Sequence, residues 1–185
     1  MSAHFSRIAT DIDIEPLLAR LDAHPELWDE YPERLTAPDS PHFEVHDIWF
    51  RYRAREELTT PLSYISPHVS QWYPSALVVP EIIDMAGEVR AIARCQNLGG
   101  VLVTHIPPGR KVWPHNDRGS WHAEHYDYKV YVCLRSNEDC PNCFNGDWFT
   151  MKPGEAWRFD NLVNHACFNN GKTDRMSAIF SMRAN

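Results

Sequence analysis

Residues 165–182 read HACFNNGKTDRMSAIFSM: a short apolar run, the turn Asn169-Asn170-Gly171, and a second run of apolar and small residues. Asn and Gly accept the backbone angles of tight turns, so the stretch reads as two strands joined by a reversal, expected to be a hairpin. The same texture runs upstream. VLVTHI (101–106) precedes Pro107-Pro108-Gly109, YKVYVCL (128–134) precedes a polar loop, and EAWRF (155–159) follows Pro153-Gly154. Short strands at this spacing predict an antiparallel sandwich or small barrel rather than a parallel sheet with crossover helices. The expected fold class is mainly β with flanking helices, a jelly roll inside and helices outside.

The first half has a different character. Acidic residues and Pro16 open an apolar pattern at residues 13–21, the signature of a helix N-terminus. In residues 80–93, Ile82, Met85, Val89 and Ile92 fall on one helical stripe. Residues 43–52, FEVHDIWFRY, are aromatic and branched and read as a strand. No linker or repeat interrupts the chain. One domain over 1–185 is expected, with 1–97 a helical and strand layer supporting a jelly-roll catalytic core over 98–183.

With 43% hydrophobic residues in 185, the chain has enough apolar surface for a real core, which rules out wholesale disorder. Eighteen Lys and Arg against 25 Asp and Glu leave a net charge of −7, so no nucleic-acid partner is expected. No apolar stretch approaches the ~18 residues of a membrane span, and charges fall where a signal peptide needs an apolar middle. No membrane partner and a cytoplasmic location are expected. Five cysteines are an odd count and read as thiols.

The chemistry concentrates around Pro114-His115-Asn116-Asp117. On an extended backbone alternate residues share a face, so His115 and Asp117 can point at one ion. His165, 48 residues past Asp117, opens another predicted strand and completes two imidazoles and a carboxylate. That facial set leaves coordination positions open, as a non-haem Fe(II) oxygenase requires. Arg175, ten residues past His165 on the next strand, carries a guanidinium suited to gripping a carboxylate, and Ser177 shares its face. His122 and His125 have helical i, i+3 spacing but read better as part of a loop over the site, with His125 a candidate substrate contact. Cys140 and Cys143, with Cys133 upstream, make half of a zinc site whose other half is missing.

Three stretches, IPPGRKVWPHND (106–117), KVYVCL (129–134) and KPGEAWRFDNLVNHACFNNGKTDR (152–175), together resemble the aspartyl/asparaginyl β-hydroxylase family of Fe(II)/2-oxoglutarate dioxygenases, which includes bacterial proline hydroxylases. The resemblance implies a double-stranded β-helix of cupin-like form. It also implies Fe(II), 2-oxoglutarate as cosubstrate and O2, with His115, Asp117 and His165 on the iron and Arg175 on the distal carboxylate of 2-oxoglutarate. Several family members lack the metal carboxylate; this chain keeps Asp117. Where the family often shows Arg-x-His this chain has Lys129-Val130-Tyr131, so these two, with Thr104 and Ser177, are candidate cosubstrate contacts.

The expected activity is hydroxylation of an unactivated C–H bond in an amino acid or in an Asp- or Asn-type side chain of a peptide, with release of succinate and CO2. The substrate is thus a small molecule or a peptide. The alternative is a cupin-type jelly roll with another divalent-metal activity or a binding role only; Arg175 favours the dioxygenase. Alternation in YKVYVCL predicts Tyr128, Val130, Val132 and Leu134 outward against the helices. Lys129 and Tyr131 then face the barrel interior, where a buried amine needs an anion, expected to arrive with the ligand.

Overall fold

A computed structural model describes residues 4–184. Its strands are β1 (Phe5–Ala9), β2 (His46–Tyr52), β3 (Gln71–Trp72), β4 (Asn97–Ile106), β5 (Lys111–His115), β6 (Tyr128–Arg135), β7 (Pro141–Phe144), β8 (Asp147–Thr150), β9 (Ala156–Phe159), β10 (His165–Phe168) and β11 (Arg175–Arg183). Its helices are α1 (Glu15–Ala23), α2 (Glu33–Thr36), α3 (Pro61–Ile65), α4 (Ser75–Val78), α5 (Glu81–Ile92) and α6 (Trp121–His125). None is long and apolar enough to cross a membrane.

The strands form two antiparallel sheets, one ordered β1-β9-β6-β11-β4-β2-β3 and the other β5-β10-β7-β8. Between them they build the jelly roll, and strands from both halves of the chain share the larger sheet. β11 lies at its centre, and every residue from Arg175 to Met182 is buried, which accounts for the apolar and small residues that follow Arg175. Met176, Ala178, Phe180 and Met182 turn outward to a core shared with Leu17, Leu18 and Leu21 of α1 and Ile82, Met85 and Val89 of α5. Tyr128, Val130, Val132 and Leu134 of β6 join that same outer core, as their alternation predicted. The inner face sends Leu102, Tyr131 and Ile179 to meet Val112, Phe144 and Cys167 of the small sheet.

The predicted hairpin across Asn169-Asn170-Gly171 is instead a crossing between sheets. β10 pairs with β5 and β7, whereas β11 pairs with β4 and β6. The cause lies in Asn169, which is fully buried and donates through Nδ2 to the carbonyls of Ile106 and Thr173, 2.8 Å each. These bonds tie the turn to the end of β4 and carry the chain over the barrel. Two boundaries also shift. The strand expected at 43–52 starts only at His46, because Phe43 is 60% exposed and stacks on Trp113 from a turn. Residues 121–125, expected as loop, make one short helical turn.

Candidate metal centre

His115 ends β5 and His165 begins β10, and the two residues are direct cross-strand partners, with ring centroids 4.3 Å apart. Asp117 follows two residues later, its backbone N–H donating to the carbonyl of Asn161 at 3.1 Å. One donor atom from each of His115, Asp117 and His165 lies within 4.8 Å of the others, the one such cluster of three among the described residues. The cysteines of the predicted half zinc site join no metal-ligand cluster among the described residues, and Cys140 is buried and donates to Asn169 Oδ1 at 3.2 Å.

The donors suit a divalent ion. His115 Nδ1 lies 2.7 Å from the carbonyl of Trp113, and His165 Nδ1 2.9 Å from that of Val163. A carbonyl only accepts, so each Nδ1 carries the hydrogen and each Nε2 keeps a lone pair for a metal. Burial, reinforced by the other imidazole, lowers His115 to about 4; burial also lowers His165, against the pull of Asp117. Both rings are therefore neutral at pH 7. Burial alone pushes the Asp117 carboxyl up, but the ammonium of Lys129, then His165, hold it well below the usual carboxylate range. Two neutral imidazoles and an ionised carboxylate are a donor set for Fe(II).

The side chain of Arg175 is buried in a recess that Thr104, Tyr131 and Ser177 also line. Its guanidinium donates to Asn142 Oδ1 at 2.6 Å and to the carbonyl of Phe168 at 3.2 Å, and no carboxylate pairs with it among the described residues. The hydroxyl of Thr104 donates to Asp47 Oδ1 at 2.6 Å. Lys129 faces inward, as the strand register predicted, but its anion is already there: Nζ lies 2.5 Å from Asp117 Oδ2. The expectation that this anion comes with the ligand is thereby corrected. The ring of Tyr131 sits edge-on to Phe159 at 4.4 Å. His125, the candidate substrate contact, stacks on Trp121 at 4.3 Å and lies 3.0 Å from Arg183 at the surface.

Other contributors had no local signal. Arg34 enters the recess from α2 and pairs with the buried Asp47. His42, buried, sets its ring at right angles to His115 at 4.8 Å. Asn161 is almost wholly buried and donates from Nδ2 to Asp117 Oδ2 at 3.3 Å. Asp160-Asn161 has the composition of a turn, which by itself gives no pointer to this contact.

The sequence model of the aspartyl/asparaginyl beta-hydroxylase family matches residues 71–184. The chain belongs to this family. It is therefore a hydroxylase of the 2-oxoglutarate–Fe(II) oxygenase type, and its cofactors are Fe(II), 2-oxoglutarate and O2. No curated protein matches this hydroxylase. Among solved structures, it resembles the viral collagen prolyl hydroxylase of Paramecium Bursaria Chlorella virus-1, at 15% identity over 100% of this chain and 98% of that one, with a TM-score of 0.58. A prolyl-4-hydroxylase of Pseudomonas putida matches at 15% identity over 98% and 93%, TM-score 0.54. A 2OG-Fe(II) oxygenase family oxidoreductase from Burkholderia pseudomallei matches at 11% identity, TM-score 0.56, over 75% of this chain and 66% of its own. At these identities the likeness is one of fold.

Proposed function

We propose that this hydroxylase oxidises an unactivated C–H bond of an amino acid or of an Asp- or Asn-type side chain in a peptide, with His115, Asp117 and His165 holding Fe(II) and Arg175 binding 2-oxoglutarate. The observation that carries the reading is Arg175. A guanidinium that is 3% exposed with no carboxylate partner among the described residues is costly unless an anion comes with the ligand. The distal carboxylate of a dicarboxylic oxo acid meets that need with two parallel hydrogen bonds.

When bound, Fe(II) with 2-oxoglutarate and O2 supplies the oxidising power, and succinate and CO2 leave as co-products. The protein orients and shields. His115 and His165 offer Nε2 lone pairs because the carbonyls of Trp113 and Val163 hold the opposite hydrogens. Lys129 and Asn161 keep Asp117 ionised and fixed in position. Asn142 aims the guanidinium of Arg175, the hydroxyl of Ser177 offers a further donor from the same face, and Thr104 and Tyr131 add polar groups to the wall. Ile106, Val112 and Ile179 line the recess and exclude water, which protects the protein from its own oxidant.

The test is succinate release from 2-oxoglutarate by purified protein reconstituted with Fe(II), measured first without any second substrate. Slow succinate formation that requires both iron and oxygen supports the reading. Its absence at full iron occupancy counts against it.

A further inference from the structure

The recess that holds Arg175 contains a second guanidinium that the chemistry above does not use. Its walls are buried strand residues, with one exception: Arg34, from the four-residue helix α2, whose side chain is 20% exposed. Arg34 therefore stands on the solvent side of the recess. Its Nη1 donates to Asp47, and its guanidinium makes no other hydrogen bond among the described residues. Asp47, almost wholly buried, also accepts from the hydroxyl of Thr104 at 2.6 Å.

The strand register sets the two cations apart. Asp47, Thr104 and Ser177 are successive cross-strand partners on β2, β4 and β11, so the Arg34–Asp47 pair sits at the level of Ser177. Arg175 lies two residues back along β11, about 7 Å away on an extended strand. Tyr131, on the same wall, feels both: burial, then Cys167, raise its hydroxyl well above the ordinary value against the pull of Arg34 and of Arg175. Two guanidiniums against the one carboxylate of Asp47 leave a single positive charge, which one incoming carboxylate cancels. The recess is also narrow, about 20 Å³, room for about one water. A five-carbon diacid enters only if a side chain gives way, and close-packed strand residues have nowhere to go.

We propose that Arg34 is a second cosubstrate-binding residue and the gate of the recess: its side chain swings outward to admit 2-oxoglutarate and returns to hold the distal carboxylate from the solvent side, while Arg175 and Ser177 hold it from the strand side. Asp47 keeps Nη1 and so aims the fork, and the N–H groups of Nη2 and Nε are the donors left for the ligand. Arg34 adds its grip only when a carboxylate reaches the recess. A chelating acid that covers the ion without extending that far gains nothing from it. This deepens the hydroxylase reading and rests on it.

The experiment titrates 2-oxoglutarate into the full chain loaded with Mn(II), with oxalate as the control that chelates the ion without reaching the recess. Arg34→Met alone leaves Asp47 a buried, unpaired charge, so the informative variant removes both partners, Arg34→Met with Asp47→Asn, and Asp47→Asn is its reference. Asp47→Asn should bind 2-oxoglutarate within about twofold of the parent and the double variant about tenfold more weakly than Asp47→Asn, as loss of a charge-assisted contact implies, while oxalate binds all three alike. Hydrogen exchange on the parent needs no variant: the amides of residues 33–45 should slow with 2-oxoglutarate and not with oxalate. Equal 2-oxoglutarate affinity in the double variant and Asp47→Asn, a loss shared by oxalate, or equal protection by the two ligands would overturn the assignment and leave the ion pair a structural one. Failure of 2-oxoglutarate to bind the Mn(II)-loaded parent at all would instead bring down the hydroxylase reading, and this proposal with it.

Discussion

Lys129 Nζ donates to Asp117 Oδ2 at 2.5 Å, each side chain less than a fifth exposed. The ammonium thus neutralises a carboxylate that also belongs to the metal cluster. Lys129→Met leaves that carboxylate with Asn161 as its remaining side-chain donor. Losing a charge-assisted bond of this kind costs about 1.5–3 kcal/mol in the metal-free protein. Saturating Mn(II) restores positive charge beside Asp117 and should shrink the loss. Denaturant midpoints with and without Mn(II) check this, and an identical loss in both would place the ion elsewhere.

His115 is half-buried and offers Nε2 with its other nitrogen held by Trp113. His115→Ala should reduce bound Fe(II) from one equivalent to a small fraction at stoichiometric metal, while far-UV circular dichroism stays unchanged. His165 is a less clean choice, since its ring also stacks on Phe144 at 5.5 Å and its loss opens a core cavity. Full iron occupancy in His115→Ala would refute its role as a ligand.

The strands that matter most for the cluster announced themselves locally. β4, β6 and β11 are apolar runs bounded by turn residues, and His115-Asn116-Asp117 needs only an extended backbone to bring its ends together. The β7–β8 hairpin also has a local signal: Asn145-Gly146, with φ of 49° and 92°, is a two-residue turn between PNCF and DWFT. β1 had none, since its burial follows no period of two and its pairing with β9 spans the length of the chain. Arg34, His42 and Asp47 reach the cluster and the recess only through tertiary folding. A single sequence holds no local trace that residues 34 and 175 line one recess. The crossing from β10 to β11 was hidden for a related reason: turn composition says that the chain reverses, not which sheet receives it.

Glu155 gives an acid-stability prediction away from the metal cluster. Its carboxylate accepts from Lys152 N at 3.0 Å and Trp157 Nε1 at 2.9 Å, and pairs with Arg7 at 2.7 Å. Burial raises this carboxyl, but the three donors outweigh burial and hold it below its ordinary value. A lowered folded value means stability present above the unfolded carboxyl range, near pH ~4.3, and lost as pH falls through the folded value. Glu155→Gln should therefore be less stable than the parent by about 1.5–3 kcal/mol at pH 7, and the gap should close on acidification below about pH 4. Urea midpoints at three pH values decide it; a gap that ignores pH would mean the charge is irrelevant.

Arg175 offers the sharpest test of the cosubstrate recess, because its planar fork and the point charge of a lysine differ in what they can hold. Asn142 Oδ1 at 2.6 Å and the carbonyl of Phe168 at 3.2 Å orient the guanidinium, leaving its remaining N–H groups for an incoming anion. Arg175→Lys keeps the charge but not the fork, and should weaken 2-oxoglutarate binding by roughly tenfold or more. Asn142→Ala keeps the fork but frees it to swing. It should weaken binding less, and should also loosen Cys167, whose thiol donates to the same oxygen at 3.3 Å. Calorimetric titration of 2-oxoglutarate into the Mn(II)-loaded protein measures both. If Arg175→Lys binds as the parent does, the buried guanidinium is structural and the anion it lacks is not the cosubstrate.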